Sequence, residues 1–164
     1  MNKLSPHAKA FVIQHLFEAP QQRERVAAMI HAEFWTHVPG ASAQGMARRL
    51  ALAKDAQQVP LCLLAMAGDE AVGVVNLVDL DADDQPQWHP WLAALVVHAA
   101  WRGRGVGSAL VRALCTEAQR LGFARLYFGT DAPGFYARLG AVEQLRLRQD
   151  FCYMRLELPL PPTA

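Results

Sequence analysis

Three glycines at alternate positions, Gly103, Gly105 and Gly107, separate a wholly apolar segment from an amphipathic one. Glycine lets backbone N–H groups approach a ligand closely and adopts positive φ without strain. A helix that starts here would add unpaired N–H groups and the positive end of its dipole. Arg102 and Arg104 place two fixed positive charges beside the glycines. This stretch therefore predicts an anion site, for which phosphate is the usual ligand.

Spacing excludes two common phosphate-binding motifs. The P-loop pattern needs a lysine directly after its last glycine, and no lysine follows Lys54 in this chain. The dinucleotide-binding fingerprint needs its third glycine one place later than Gly107. The glycines alone would also suit a tight turn between a strand and a helix, so the flanking elements decide between the two interpretations.

Hydrophobic periodicity predicts a mixed α/β chain around the glycines. The predicted helices cover residues 22–35, 42–58, 107–121 and 133–139. The predicted strands cover residues 61–66, 71–79, 91–97, 124–129, 141–148 and 150–158. Residues 7–18 are only weakly amphipathic, and that pattern assigns them no strand. The unit formed by 91–97, 107–121 and 124–129 is long enough for a right-handed crossover, which makes its two strands parallel.

Composition limits the class of protein. The chain has 164 residues, of which 52% are hydrophobic and 19% charged, which suits one domain with a substantial core. We expect this domain to span residues 1–158, followed by a flexible, extended Pro-rich tail at 159–164. Three scattered cysteines form no disulfide framework. Neither a signal peptide nor a membrane span is evident, so we expect a cytoplasmic protein that contacts no membrane.

Charge is distributed unevenly along the chain. Residues 55–101 carry seven acidic residues and no Lys or Arg, whereas residues 102–164 carry nine Arg and five acidic residues. Such asymmetry suggests different partners for the two segments, although each run would also suit a solvated face. The arginine-rich part lacks an aromatic-interleaved basic surface, so nucleic acid is not an expected partner.

Three segments together resemble the GNAT superfamily of N-acetyltransferases. Arg102–Gly107 matches its Gln/Arg-x-x-Gly-x-Gly/Ala motif, residues 90–98 resemble the strand before that motif, and Phe135–Gly140 matches a Phe-Tyr-x-x-Leu-Gly element. The pattern is also similar to the branch that contains actin-type N-terminal acetyltransferases and many bacterial relatives. The resemblance implies a GNAT fold, a mixed central sheet of about six to seven strands with a splayed parallel pair, flanked by about four helices.

The resemblance also implies acetyl-CoA as cosubstrate and no metal. Its pantetheine arm would lie along the backbone of Leu95, Val96 and Val97, and an N–H near Val96 would polarise the thioester carbonyl. The pyrophosphate would lie on the residues of the glycine-rich stretch, namely Arg102, Gly103, Arg104, Gly105, Val106, Gly107 and Ser108. Tyr136 occupies the position of the family's general acid, which protonates the leaving thiolate; a tyrosine in this motif would also serve as a packed aromatic.

The sequence departs from the family where many members carry a carboxylate as general base. The strand before the glycines reads Leu-Ala-Ala-Leu over residues 92–95, so no side chain there can accept a proton. The alternatives are a base elsewhere, a base acting through water, or an amine that arrives neutral. The candidate bases are Asp81 and His89, with Asp79 and Asp131 as further carboxylates. The candidate substrate contacts are Asn76, Asp79 and Trp91.

The sequence thus predicts acetyl transfer from acetyl-CoA to a primary amine by direct attack in a ternary complex. The acceptor would be a small amine or a peptide N-terminus, and the acidic loop over residues 79–84 would favour a cationic one. The missing strand carboxylate leaves two alternatives open, a non-catalytic acyl-CoA sensor and a transferase of another acyl group. The oligomeric state is left open, a dimer included.

Overall fold

The structure of this chain, a computed structural model, describes residues 10–162 and contains one seven-stranded sheet flanked by helices. The strands are β1 Val12–His15, β2 Leu61–Ala67, β3 Glu70–Val78, β4 Trp91–Val97, β5 Arg125–Thr130, β6 Val142–Arg148 and β7 Phe151–Glu157. The helices are α1 Arg23–Ile30, α2 Ala43–Leu50, α3 Val106–Arg120 and α4 Pro133–Ala137. A π-helical turn, His31–Trp35, extends α1. The prediction of six to seven strands and about four helices is confirmed.

The sheet has the order β1-β2-β3-β4-β5-β7-β6, and β4 and β5 are its parallel pair. These two strands pair at one position only, Trp91 opposite Tyr127, with a bond from the Tyr127 N–H to the Pro90 carbonyl. Beyond this point no further residue pair joins β4 to β5, whereas β5 pairs with β7 along its whole length. The predicted splayed parallel pair is confirmed.

A β-bulge interrupts β4 directly beside the divergence. Val74 on β3 pairs with Val96, and Asn76 pairs with Ala93, so two residues of β4 oppose one residue of β3. Ala94 takes a positive φ of 53°, which is unusual for a residue with a side chain. Bulges redirect the backbone and the side chains that follow, so β4 turns away from β5 just before the glycine-rich stretch.

Two apolar layers hold the sheet between its helices. On one face Leu110, Leu114 and Ala118 form an i, i+4, i+8 stripe along α3, and all three are fully buried. On the other face Val26 and Ile30 of α1 pack with residues of α2, β2 and β3. The helix after the glycines is therefore fixed to the sheet along its whole length, which places its N-terminus rigidly.

Two sequence-based assignments were wrong in extent. The helix predicted over 42–58 ends at Leu50, because the Asp55 carboxylate accepts the Gln57 N–H and this local turn replaces the helical pattern. The weakly amphipathic segment 7–18 contains strand β1, which pairs antiparallel with β2; residues 7–9 lie outside the described part. A short edge strand depends on its partner strand rather than on its own sequence pattern.

The segment after β7 has no regular secondary structure up to Pro162, and residues 163–164 lie outside the described part. Leu158 and Leu160 pack against the core, and the Arg112 guanidinium donates to the Pro161 carbonyl at 3.3 Å. These contacts attach Leu158, Leu160 and Pro161 to the domain, and the flexibility of residues 159–164 stays a prediction. The division of the chain at residue 158 stays a prediction.

Candidate active site

A cavity of about 1030 Å³ opens where β4 and β5 diverge. Its walls come from the π-helical turn, α2, β3, β4, the glycine-rich stretch, α4 and the start of β7. This is a size that suits a bound ligand, and the divergence leaves β4 backbone facing the cavity without a neighbouring strand. The splay thus creates the space in which a second chain-like molecule can lie beside β4.

One end of the cavity is formed by residues 102–108, here called the phosphate loop. Gly103 and Gly105 have φ of +74° and +81°, and a Cβ added to either would meet no atom within 4 Å. The space above both glycines is therefore open to a ligand. Gly105 is also the N-cap of the 15-residue helix α3, whose first N–H groups point into this space. The loop therefore fits an anionic group such as a pyrophosphate.

The structure brings nearly all of the predicted cofactor residues to this cavity. Leu95, Val96 and Val97 line it, and so does every member of the phosphate loop except Arg104. The Arg104 guanidinium lies instead over the ring of Trp101, 5.2 Å from its centroid. The Arg104 side chain therefore makes a cation–π contact with Trp101, and the assignment of Arg104 to the cofactor stays a prediction.

Arg102 connects the loop to two other walls of the cavity. Its Nε donates to the Val97 carbonyl at 3.1 Å, and its guanidinium lies 3.8 Å from the Glu33 carboxylate of the π-helical turn. Arg102 is exposed and lines the cavity, so the same side chain also faces the space above the glycines. It adds positive charge to the phosphate end.

Tyr136 lies on the wall between β5 and the phosphate loop. Its ring packs on Phe128 and Phe135, with centroids 4.2 and 4.9 Å apart, and only 7% of the residue is exposed. Burial raises the pKa of the phenol well above its usual value, and the nearby Asp131 carboxylate adds to the rise. The hydroxyl therefore keeps its proton across the neutral and alkaline range and can act as a donor.

Another part of the cavity lining, here called the acceptor end, comprises Phe34, Trp35, Met46, Arg49, Asn76 and Asp81. Burial by the cavity walls raises the pKa of Asp81 to about 6, and the positive charge of Arg49 opposes that rise. By solvent accessibility Asp81 is an exposed residue, so its proton can exchange with water. Asn76 is buried in β3 and presents its amide to the same space.

Three sequence-based candidates do not line the cavity. His89 and Asp79 are exposed and contact each other, with Nδ1 and Oδ1 3.0 Å apart, and the imidazole lies against Phe123. Trp91 is fully buried in an aromatic cluster, and its Nε1 donates to the Trp88 carbonyl at 2.7 Å. None of the three lines the cavity, so His89 as base and Asp79 and Trp91 as substrate contacts stay predictions.

The sequence reasoning missed the contribution of the π-helical turn and α2. Phe34 is 48% exposed although it belongs to an apolar pattern, and Trp35 beside it holds the Arg49 guanidinium 5.9 Å above its ring. An apolar pair at the end of an amphipathic helix is a weak signal, because it equally predicts core packing. Only the tertiary arrangement, which lays this turn across β4, shows that both rings face the cavity.

Other kinds of chemistry find no support in the described residues. Within 10–162, no group of three or more His, Cys, Asp or Glu side chains is placed to hold a metal ion. Over the same range, no helix combines the length and apolarity that crossing a membrane requires. Cys62, Cys115 and Cys152 are buried and unpaired, and burial raises the pKa of Cys62 and Cys115 to about 12. These thiols are packing groups rather than nucleophiles.

Comparison with known proteins identifies similar sequences and folds. The model of a family described as the acetyltransferase (GNAT) family matches residues 15–141. No curated protein matches the chain. The match covers the phosphate loop, the splayed strands and α4, which form much of the cavity, whereas the start of β7 lies beyond the match.

Solved structures share the fold at low sequence identity. An aminoglycoside 6'-N-acetyltransferase complexed with coenzyme A is 18% identical, with a TM-score of 0.71, and the alignment covers 93% of this chain and 99% of that chain. The aminoglycoside 6'-N-acetyltransferase from Enterococcus faecium is 18% identical, with a TM-score of 0.69, and the alignment covers 93% of this chain and 99% of that chain. The GNAT family N-acetyltransferase YhbS from Escherichia coli, in complex with CoA, is 20% identical, with a TM-score of 0.64. The alignment covers 93% of this chain and 84% of that chain.

Proposed function

The chain belongs to the GNAT family of acyl-CoA-dependent acetyltransferases, and from that premise we propose that it transfers an acetyl group from acetyl-CoA to a primary amine within a ternary complex. The observation that carries this proposal is the shared cavity. One continuous space joins an anion-binding loop, a free stretch of β4 and an end lined by aromatic and charged side chains. Two substrates can therefore be bound side by side, with the reacting atoms between them.

Acetyl-CoA matches the phosphate end of the cavity. The N–H groups of the phosphate loop and the Arg102 guanidinium suit the pyrophosphate, because both offer positive charge to an anion. The pantetheine amides suit the β4 backbone around Leu95 and Val97, which β5 leaves unpaired. The N–H near Val96, just beyond the bulge, is the candidate donor to the thioester carbonyl as negative charge develops on its oxygen.

The transfer needs two proton movements. The amine nitrogen attacks the thioester carbon and loses a proton, and the C–S bond breaks as the thiolate gains one. Tyr136 is the proposed proton donor to sulfur, supported by its position on the cavity wall and by a pKa raised above the usual value. A phenol that stays protonated at neutral pH is ready to donate whenever the thiolate forms.

Asp81 is the proposed acceptor of the amine proton, directly or through water. A pKa of about 6 leaves the carboxylate ionised at neutral pH and still basic enough to take a proton. Asn76 would orient the amine from β3. Asp131 also lines the cavity, but it lies beside Tyr136, where a negative charge raises the phenol pKa.

The test is release of free thiol from acetyl-CoA in the presence of a panel of primary amines, with mass spectrometry of the products. We expect thiol release that depends on the amine and a product heavier by one acetyl group on nitrogen. Tight binding of acetyl-CoA without release across the panel would favour the non-catalytic sensor instead. Faster release from another acyl-CoA than from acetyl-CoA would change the acyl group but keep the proposed chemistry. Products acetylated on oxygen would refute the amine acceptor.

A further inference from the structure

The acceptor end of the cavity carries a cation that the transfer of an acetyl group does not require. Arg49 lines this end, and its guanidinium lies over the Trp35 ring at 5.9 Å. A guanidinium stacked on an aromatic face keeps its N–H edges free for other partners. Arg49 is exposed and also borders a second, smaller pocket beside α2.

Most other charges on the cavity wall are already paired. The Arg102 guanidinium lies 3.8 Å from Glu33, and that of Arg148 lies 3.6 Å from Asp150. Arg49 has no carboxylate within 4.0 Å among residues 10–162. Its positive charge is therefore available to a ligand.

Arg49 and Asp81 place opposite charges at the same end of the cavity. They are close enough that the guanidinium lowers the pKa of the carboxyl, although burial dominates. The two remaining charged groups of the wall, Asp131 and Arg138, flank α4 on the Tyr136 side. The acceptor end thus presents one carboxylate and one guanidinium. Trp35 and its neighbours add apolar surface to the same part of the cavity.

We propose that the acceptor is a primary amine that carries a carboxylate at its other end, with the amine directed to Asp81 and the carboxylate held by Arg49. This inference rests on the proposed function and names the substrate class within it. A guanidinium binds a carboxylate through two parallel hydrogen bonds, which fixes direction as well as position. The apolar side chains Phe34, Trp35 and Met46 suit a hydrocarbon chain between the two polar ends.

A polycationic acceptor fits this end less well. Such a molecule would place positive charge against Arg49, and like charges in a confined site repel each other. The aminoglycoside N-acetyltransferases that share the fold therefore do not define the acceptor of this chain.

The test compares matched acceptors that differ only in the anionic group. Straight-chain amino acids from glycine to ε-aminocaproic acid, together with leucine and phenylalanine, are assayed against their carboxamides and the corresponding alkylamines, with acetyl-CoA as donor. We expect at least one amino acid to exceed both of its neutral partners by about 10- to 100-fold in kcat/KM, the range expected for hydrogen bonds between charged groups. The best chain length reports the separation of the two binding groups.

Variants then assign the preference to Arg49. Arg49→Ala should remove it while the Kd for CoA stays unchanged, and Arg49→Lys should retain part of it, because the charge remains without the planar fork. Arg48→Ala is the matched control, since Arg48 is exposed on the same helix and borders only the smaller pocket. It should behave like the parent protein.

The outcomes separate this inference from the proposed function. Turnover of amines with equal kcat/KM for amino acids, carboxamides and alkylamines would overturn the inference and leave N-acetyl transfer intact. A preference that survives in Arg49→Ala would also overturn it. Turnover of no amine in any class would overturn the proposed function, and the inference that rests on it would fall with it.

Discussion

Replacing Tyr136 by phenylalanine removes one hydroxyl from the cavity wall and little else. The ring packs on Phe128 and Phe135, and phenylalanine keeps both contacts. If the phenol protonates the leaving thiolate, kcat should fall by about 10²–10⁴-fold, which corresponds to about 3–5 kcal/mol of transition-state stabilisation. The affinity for acetyl-CoA should stay within about threefold, because the hydroxyl is proposed to act only when the C–S bond breaks.

The assay is the initial rate of thiol release at saturating acetyl-CoA and amine, combined with the Kd for CoA from calorimetry. Tyr127→Phe is the matched control, because Tyr127 is a partly buried tyrosine of β5 that stacks on Trp88 and does not line the cavity. The same chemical change at that position should leave kcat unchanged. Thermal unfolding of both variants should stay close to that of the parent protein, because each keeps its ring packing.

Three results would refute the reasoning about Tyr136. A variant whose kcat lies within threefold of the parent value would show that water or another group protonates the thiolate. An equal loss in Tyr127→Phe would show that the effect comes from disturbed aromatic packing and not from the proton. A loss of kcat accompanied by a tenfold weaker Kd for CoA would instead assign the hydroxyl to cofactor binding.

Two further predictions concern Asp81 and the phosphate loop. The carboxyl pKa of about 6 predicts that kcat/KM, corrected for the fraction of neutral amine, falls about tenfold between about pH 7 and about pH 5, and that Asp81→Asn loses this dependence. The pKa of Asp81 in the folded protein lies above the unfolded value of about 3.9, so the protonated carboxyl contributes stability in acid. This contribution is lost as pH rises through about 6. Asp81→Asn should therefore raise Tm at neutral pH but not near about pH 4. Gly105→Ala should lower the free energy of unfolding by about 1–2 kcal/mol and weaken acetyl-CoA binding. The control is Gly40→Ala, because Gly40 has a similar φ of +80° and lies outside the cavity. It should lower the free energy of unfolding by the same amount without changing binding.

The parts of the fold that the sequence predicted are those in which local pattern and tertiary role agree. The stripe on α3 with Leu110 and Leu114, the apolar run of β4 and the alternate glycines each constrain one structure. The edge strand β1 escaped prediction because its pairing with β2 provides the strand geometry. The helix α2 was overextended because the turn at Asp55 depends on a single side-chain hydrogen bond.

Residues of the candidate site could be predicted where a short motif specifies them. They could not be predicted where the fold brings together residues from distant parts of the chain. Tyr136 and the phosphate loop follow from short motifs with fixed spacing, although the contact of the Arg104 side chain with Trp101 was not predicted. The acceptor end is assembled from Trp35, Arg49 and Asp81, which come from three separate parts of the chain. No spacing rule connects them, because acceptor specificity is set by loops and turns that the scaffold brings together.

The acidic segment between residues 55 and 101 shows why charge along a sequence is a poor guide to charge in a site. Asp79 pairs with His89, and the Asp84 carboxylate accepts the Tyr153 hydroxyl at 2.9 Å, so both face away from the cavity. Asp81 is the member of the acidic loop that lines it, and Arg49 from a basic segment stands at the same end. A uniformly acidic surface would select cations by charge alone, whereas a carboxylate and a guanidinium at fixed positions select a molecule with both charges. The acceptor series and the Arg49 variants therefore distinguish between a protein that attracts amines in general and one that recognises both ends of a single small molecule.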